Sequence, residues 1–288
     1  GRENPCIKAF NVANVQVLKV IRHQRKLQIG GLSGNRFTLT IRNIRGGENF
    51  IGVLQQRLES LKAQGVPNYF GAQRFGLYGR NIKQGLKFLA GELPKVKRNQ
   101  KGLYLSALRS WMFNVLLSQR IEQGNWNQFV PGEVLQLQGS NKWFIEDASS
   151  DLNERVRQQD LHPTGALYGK GVLPSQQEAF AIEEGIAELF SDWIFGLEQY
   201  GVQQDRRALR VLPEALTWQW LDDKRGAKLN ASNTSELVEA FKRLGKGEQW
   251  MHRPALQLSF TLRAGSYATM VLRELLLAED YQVLLKRD

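Results

Sequence analysis

Period-two alternation of apolar residues occurs toward both ends of this chain while helical spacing fills its middle, and that division limits the fold more than any other feature. Near the C-terminus Leu256, Leu258, Phe260 and Leu262 alternate with polar residues as a half-buried strand does, and residues 216–223 (LTWQWLDD) read as a strand before it, with Trp218 and Trp220 as core. Near the N-terminus residues 15–21 and 37–41 alternate in the same way. Between them, Ile51, Leu54, Leu58 and Leu61 stand at helical spacing in a run stopped by Gly65 and Pro67. Leu105, Leu108, Met112, Val115 and Leu116 mark a second helix. A third, residues 174–201, opens with a capping box of Ser175 and Glu178 and is read as helical to about Tyr200. Residues 65–85, rich in glycine and aromatics, read as an ordered loop system, and PGEVLQLQGSNKWF as short strands and a turn. Ser266 is expected to cap the last helix, ATMVLRELLL, and residues 224–247 to form an exposed insertion with one short helix near Ser235. Strand-rich ends around a helix-rich middle imply an α+β fold in which one domain is interrupted by a second, with boundaries near residues 65 and 211.

A length of 288 residues suits about two domains. No stretch of about 18 uncharged apolar residues exists, so the sequence gives no membrane span, and the expected location is cytoplasmic. One cysteine, Cys6, and three scattered histidines, His23, His162 and His252, support neither a disulfide framework nor a zinc site. Charge is the more telling quantity. The net +11 divides into +16 over residues 1–110 and −5 over the remainder, and a field of that kind attracts polyanions, nucleic acid above all. Arg22, Arg25 and Lys26 fall in the connection between strand-like runs; with Arg74, Arg80, Lys97 and Arg98 they are candidates for phosphate contacts as a group, although each alone reads as a solvated charge. The segment GLYGRNIKQG is superficially like a phosphate loop but lacks a GK[ST] ending, so no ATP, NAD or metal is expected.

Four segments carry more than composition: GNRFTL (34–39), VPNYFGAQRFG (66–76), SALRSWMFN (106–114) and AGSYATMVLREL (264–275). Together, and in order, they resemble the TruD family of tRNA pseudouridine synthases over essentially the whole chain. The resemblance implies a catalytic domain around an antiparallel sheet, residues 1–64 and 212–288, interrupted by an inserted mixed α/β domain, residues 65–211. It implies isomerisation of uridine, specifically uridine 13 of tRNA, to pseudouridine, with no cofactor, since no oxidation state changes and no group donor is needed. Such a reaction requires the nucleotide to be extruded and held by stacking and by bonds to its base edges. Asn35 aligns with a substrate-contacting asparagine of the family, and its amide has the donor and acceptor that a uracil edge needs; without the resemblance it reads as a turn residue after Gly34. Phe37, two residues on, either supports that pocket or belongs to the core. Tyr267 aligns with a substrate-contacting aromatic, often phenylalanine, whose ring covers the extruded base; its other reading is a buried aromatic at a helix start.

The resemblance also implies an aspartate nucleophile within a Gly-x-Lys-Asp segment, which aligns upstream of residues 1–5. These 288 residues contain no such segment, and none of their nine aspartates, the first being Asp147, stands in a matching context. The expectation is therefore the larger part of a longer enzyme that, as given, binds tRNA but makes little or no pseudouridine. The alternatives are a noncatalytic RNA-binding protein on the same scaffold and, weakly, a DNA-binding regulator, for which no helix-turn-helix or zinc-finger pattern exists.

Overall fold

The computed structural model describes residues 31–42, 44, 49–93, 95–145, 150–222 and 254–276, together with residues 13, 24 and 26. Residues 1–33 and 34–288 form separate compact units. In the first, the described residues, Lys26 among them, are exposed. Arg22, Arg25, the strand expected at residues 15–21 and the insertion expected at residues 224–247 lie outside the described residues.

The second unit opens with β1 (Gly34–Ile41), α1 (Phe50–Gln64) and β2 (Val66–Pro67). It continues through α2 (Ala72–Phe75), a 3-10 turn (Leu77–Gly79), α3 (Arg80–Leu89), α4 (Arg98–Glu122), β3 (Val134–Leu137) and β4 (Trp143–Ile145). Next come α5 (Ser150–Arg157), β5 (Leu161–Leu167), α6 (Gln177–Leu189), α7 (Ser191–Gln199), β6 (Asp205–Ala208) and β7 (Arg210–Val211). The last elements are β8 (Glu214–Asp222), β9 (Pro254–Arg263) and α8 (Ala268–Leu275). The strands make three antiparallel sheets, ordered β1-β9-β8, β2-β7 and β4-β3-β5-β6, so the α+β class is observed.

Two large cores explain the arrangement. In the first, Leu256, Leu258, Phe260 and Leu262 of β9 all point inward, as their alternation requires, and meet Ile51, Leu54, Leu58 and Leu61 of α1 and Val271 and Leu275 of α8. Each such side chain contributes about 1.5–3 kcal/mol by leaving water. The helix α1 stops where Gly65 takes φ 75°, a conformation glycine adopts without a Cβ penalty, and its N–H donates to the Leu61 carbonyl at 3.0 Å. The second core gathers Leu105, Met112, Phe113, Leu116 and Leu117 of α4 with Tyr69, Phe70, Ala166, Leu209 and Met270. Met270 thus faces one core and Val271 the other, so α8 serves both. A small third core joins Leu135, Leu152, Val156 and Leu161.

Several sequence expectations fail in instructive ways. The loop expected to run to Gly85 ends at Arg80, where α3 begins. Gly85 does not break this helix but lets it approach α4, since a Cβ there would lie 3.0 Å from Leu108 Cγ. The single helix expected to Tyr200 is two, α6 and α7, divided at Phe190 (φ −119°, ψ 28°). Ser175 caps nothing; its hydroxyl donates to Glu183 Oε2 at 2.6 Å, and Gln176 stands at the helix start without a side-chain cap. Nor does Ser266 cap α8, whose N-cap is the extended Tyr267.

Candidate functional site

The segments singled out in the sequence converge where β9 ends and α8 begins. After Arg263 the chain turns through Gly265, at φ 87°, and reaches Tyr267, whose carbonyl accepts the Met270 N–H at 3.0 Å to start the helix. The half-buried Tyr267 ring lies against Gly71: a Cβ on Gly71 would come within 2.9 Å of Tyr267 Cδ1, so only glycine admits the ring there. The Phe70 ring meets Tyr267 edge-on at 6.2 Å between centroids.

Asn35 sits opposite Leu262 in the β1-β9 ladder, which places this exposed amide at the same end of the sheet as the turn leading to Tyr267. Phe37 lies opposite Phe260, with ring centroids 5.6 Å apart, and packs half-buried against the first core. Of the three residues, Asn35 and Tyr267 thus share an end of the sheet, while Phe37 supports it from the core side.

Residues 68–71 are held rigidly. Asn114 on α4 clamps the Phe70 peptide from both sides: Phe70 N–H donates to Asn114 Oδ1 at 2.9 Å, and Asn114 Nδ2 donates to the Phe70 carbonyl at 3.0 Å. Asn68 donates through Nδ2 to the Ala208 carbonyl at 2.9 Å and through its backbone N–H to the Leu209 carbonyl at 2.8 Å. Tyr69 places its hydroxyl 2.9 Å from Ser118 Oγ. Thus the segments NYFGAQRFG and SALRSWMFN are bound directly to one another.

Positive charge surrounds this corner. The Arg207 guanidinium stacks 4.0 Å from the Phe70 ring centroid, and that of Arg74 lies 5.3 Å from it. Burial lowers the Arg207 pKa from its ordinary value to about 9, with the Tyr267 hydroxyl opposing the shift and the charge of Arg74 adding to it. Arg207 therefore stays a cation at neutral pH. Arg74 Nε and Thr269 Oγ1 are buried without a hydrogen-bond partner among the described residues. The four ion pairs formed among the described residues tie their carboxylates elsewhere, to Arg120, Arg155, Arg157 and Arg206.

The basic candidates separate into patches. Arg74 and the exposed Arg80 share the junction before α3, where Asn81 Nδ2 donates to the Arg74 carbonyl at 3.0 Å. The exposed Lys97 and Arg98 begin α4, beyond the far end of the ten-residue α3, roughly 15 Å along its axis from Arg80. Lys26 belongs to the other unit. Sequence reasoning did not single out Asn68, Gly71, Asn114 or Arg207; the first three lie inside the quoted segments, whereas Arg207 carries no signal of its own.

Comparison with known proteins identifies the family. The family model described as tRNA pseudouridine synthase D (TruD) matches residues 2–93 and 80–275. The chain is 46% identical over 275 residues to tRNA pseudouridine synthase D of Hydrogenovibrio crunogenus, covering 96% of this chain and 70% of that protein. It is 39% identical over 285 residues to the protein of the same name from Nitrosococcus oceani, covering 97% and 70%. A crystal structure from Methanosarcina mazei described as TruD shares the fold at a TM-score of 0.66 and 19% identity, covering 98% of this chain and 77% of that one. The chain belongs to the tRNA pseudouridine synthase D (TruD) family.

Proposed function

We propose that this chain binds tRNA and shapes the pocket in which an extruded uridine, uridine 13 by family resemblance, becomes pseudouridine. The observation that carries the reading is the convergence of the matched segments where β9 ends and α8 begins: the Tyr267 ring packs on Gly71 and Phe70 beside the Arg74 and Arg207 guanidinium groups, and the Asn35 amide stands at the same end of the sheet. Asn35 is assigned to the uracil edge, Tyr267 to the base face, and Phe37 to support behind them. Arg74, Arg80, Lys97 and Arg98, with Arg22, Arg25 and Lys26, are assigned to the RNA backbone. The work is placed in the cytoplasm.

We further read residues 1–64 and 212–288 as the catalytic domain and residues 65–211 as the insertion. In support, one core draws on residues 37–66 and 211–276, and the other on residues 69–209 joined by Tyr267 and Met270. No aspartate of these 288 residues is assigned to the reaction: Asp160 pairs with Arg155, and Asp205 accepts from the Arg206 backbone N–H at 2.8 Å.

Incubation with unmodified tRNA followed by mapping of pseudouridine tests the reading. The 288 residues alone should bind tRNA and give little or no product, and the same chain supplied with a Gly-x-Lys-Asp segment ahead of Gly1 should convert one uridine. Efficient conversion by the 288 residues would overturn the assignment of the nucleophile. Binding without product in both forms would favour a noncatalytic RNA-binding role.

A further inference from the structure

No hydrogen bond from the Tyr267 hydroxyl forms among the described residues, so packing against Gly71 and the Phe70 ring fixes its ring. The position of Gly71 therefore sets the position of Tyr267, although the two are far apart in sequence. One side chain spans the gap. Arg207 Nε donates to the Asn68 carbonyl at 3.1 Å, and its Nη2 donates to Asn68 Oδ1 at 2.6 Å and to the Gly265 carbonyl at 3.1 Å. A single guanidinium thus joins the segment three residues before Gly71 to the turn two residues before Tyr267. Its backbone is itself held in the four-stranded sheet, opposite Gly165 of β5. The Phe70 ring under its plane, at 4.0 Å, and the Phe113 ring, at 5.6 Å, restrict its rotation.

We propose that Arg207 is a positioning residue for pseudouridine formation: it fixes the spacing between Gly71 and the Tyr267 ring, so that the ring stands where the extruded base must stack. The inference rests on the reading of Tyr267 as a pocket residue. The chemistry explains why arginine holds the place. Its planar fork reaches the Asn68 and Gly265 acceptors together while stacking on an aromatic face, whereas the point charge of a lysine on a flexible stem cannot satisfy both segments in one fixed geometry. With Nε and Nη2 committed to protein acceptors, the main work of Arg207 is internal and not the capture of phosphate.

The test uses Arg207→Gln, Arg207→Lys, Gly71→Ala and Tyr267→Ala in the chain supplied with the Gly-x-Lys-Asp segment, reading the single-turnover rate at saturating tRNA, the tRNA Kd and the melting temperature. Arg207→Gln should lose about 100-fold in rate, the scale on which a misplacement of about 1 Å acts, with the Kd changed by less than about threefold. Arg207→Lys should not rescue the rate. Gly71→Ala, which leaves every Arg207 bond in place but drives a methyl into the ring, should lose rate comparably; it carries the test if Arg207→Gln does not fold. A normal rate in Arg207→Gln or Gly71→Ala while Tyr267→Ala is impaired would overturn the inference alone. A loss expressed wholly as weaker tRNA binding would overturn it in favour of a phosphate contact. A normal rate in Tyr267→Ala would overturn the pocket reading and the inference with it.

Discussion

His162 shows how a single side chain records its neighbours. Arg210 Nε donates to His162 Nδ1 at 3.0 Å, so that nitrogen holds no proton, and Nε2 lies 2.6 Å from Gln138 Oε1, to which it donates. Burial first, and the Arg210 charge second, push its pKa down from 6.5 to about 4. As pH falls below about 6.5 the unfolded chain takes up a proton that the folded one refuses, so stability is lost progressively down to pH 4 and levels off below it. At about 1.4 kcal/mol per unit the loss from this residue is about 3 kcal/mol. In His162→Asn the difference in unfolding free energy from the wild type should move in the variant's favour by about that amount between pH 7 and pH 4, as read by urea denaturation. A pH-independent difference would mean that His162 accepts its proton in place. Neighbouring arginines make the same point about legibility. Arg206, Arg207 and Arg210 read as three similar charges in DRRALR, yet one pairs with Glu183, one bridges two loops and one fixes a histidine. Charge is visible in sequence; the partner that decides its role is not. Asn35 and Tyr267 could be named only because the segments around them match a family, while Asn114 lies in such a segment too, yet its clamp on Phe70 appears only when α4 folds against residues 68–71.

Among the elements, β9 and α1 were legible because each buries one face against a single core, so their apolar periods of two and 3.6 survive intact. The helix α3 was missed because the glycine that looked like punctuation is a contact point for α4. The boundary of α6 was mistaken for a capping box because Ser175 looked free to cap, although folding commits it to Glu183. That carboxylate anchors α6 to the sheet. Its Oε2 accepts from Arg206 Nη1 at 2.7 Å and from Ser175, its backbone carbonyl accepts from the Tyr168 hydroxyl at 2.8 Å, and Arg206 Nη2 donates in turn to the Thr164 carbonyl at 2.9 Å. Both charges are almost wholly buried, the Arg206 side chain at 1% exposure and that of Glu183 at 4%, so removing one strands the other. Glu183→Leu should cost about 3–5 kcal/mol in unfolding free energy, and the double variant Glu183→Leu, Arg206→Met should cost less than the single one, because the penalty lies in the unpaired charge. A single variant within about 1 kcal/mol of the wild type would show that water reaches the pair.

For the whole molecule, the strongest sequence signal was charge, +16 over residues 1–110 against −5 over the rest, and it predicted a polyanionic partner without locating the surface. Folding divides the described cations. Arg74 and Arg80 stand at the α2-α3 junction beside the Tyr267 corner, and Lys97 and Arg98 stand roughly 15 Å away along α3, at the start of α4. On the proposed reading, an RNA strand that delivers a nucleotide to Tyr267 passes the first patch, whereas the second gains a phosphate only if the strand continues along the helix. Salt dependence separates the two. Each phosphate neutralised steepens the fall of log K with log salt by about 0.7–0.9, so Arg74→Gln with Arg80→Gln should flatten the slope by about 1.5 and weaken tRNA binding most at low salt. Lys97→Gln with Arg98→Gln should flatten it less. Equal flattening by both pairs would extend the RNA path over the length of α3. An unchanged slope in the first pair would remove the Tyr267 corner from that path, since a nucleotide cannot be held in the pocket while its backbone avoids the cations beside it.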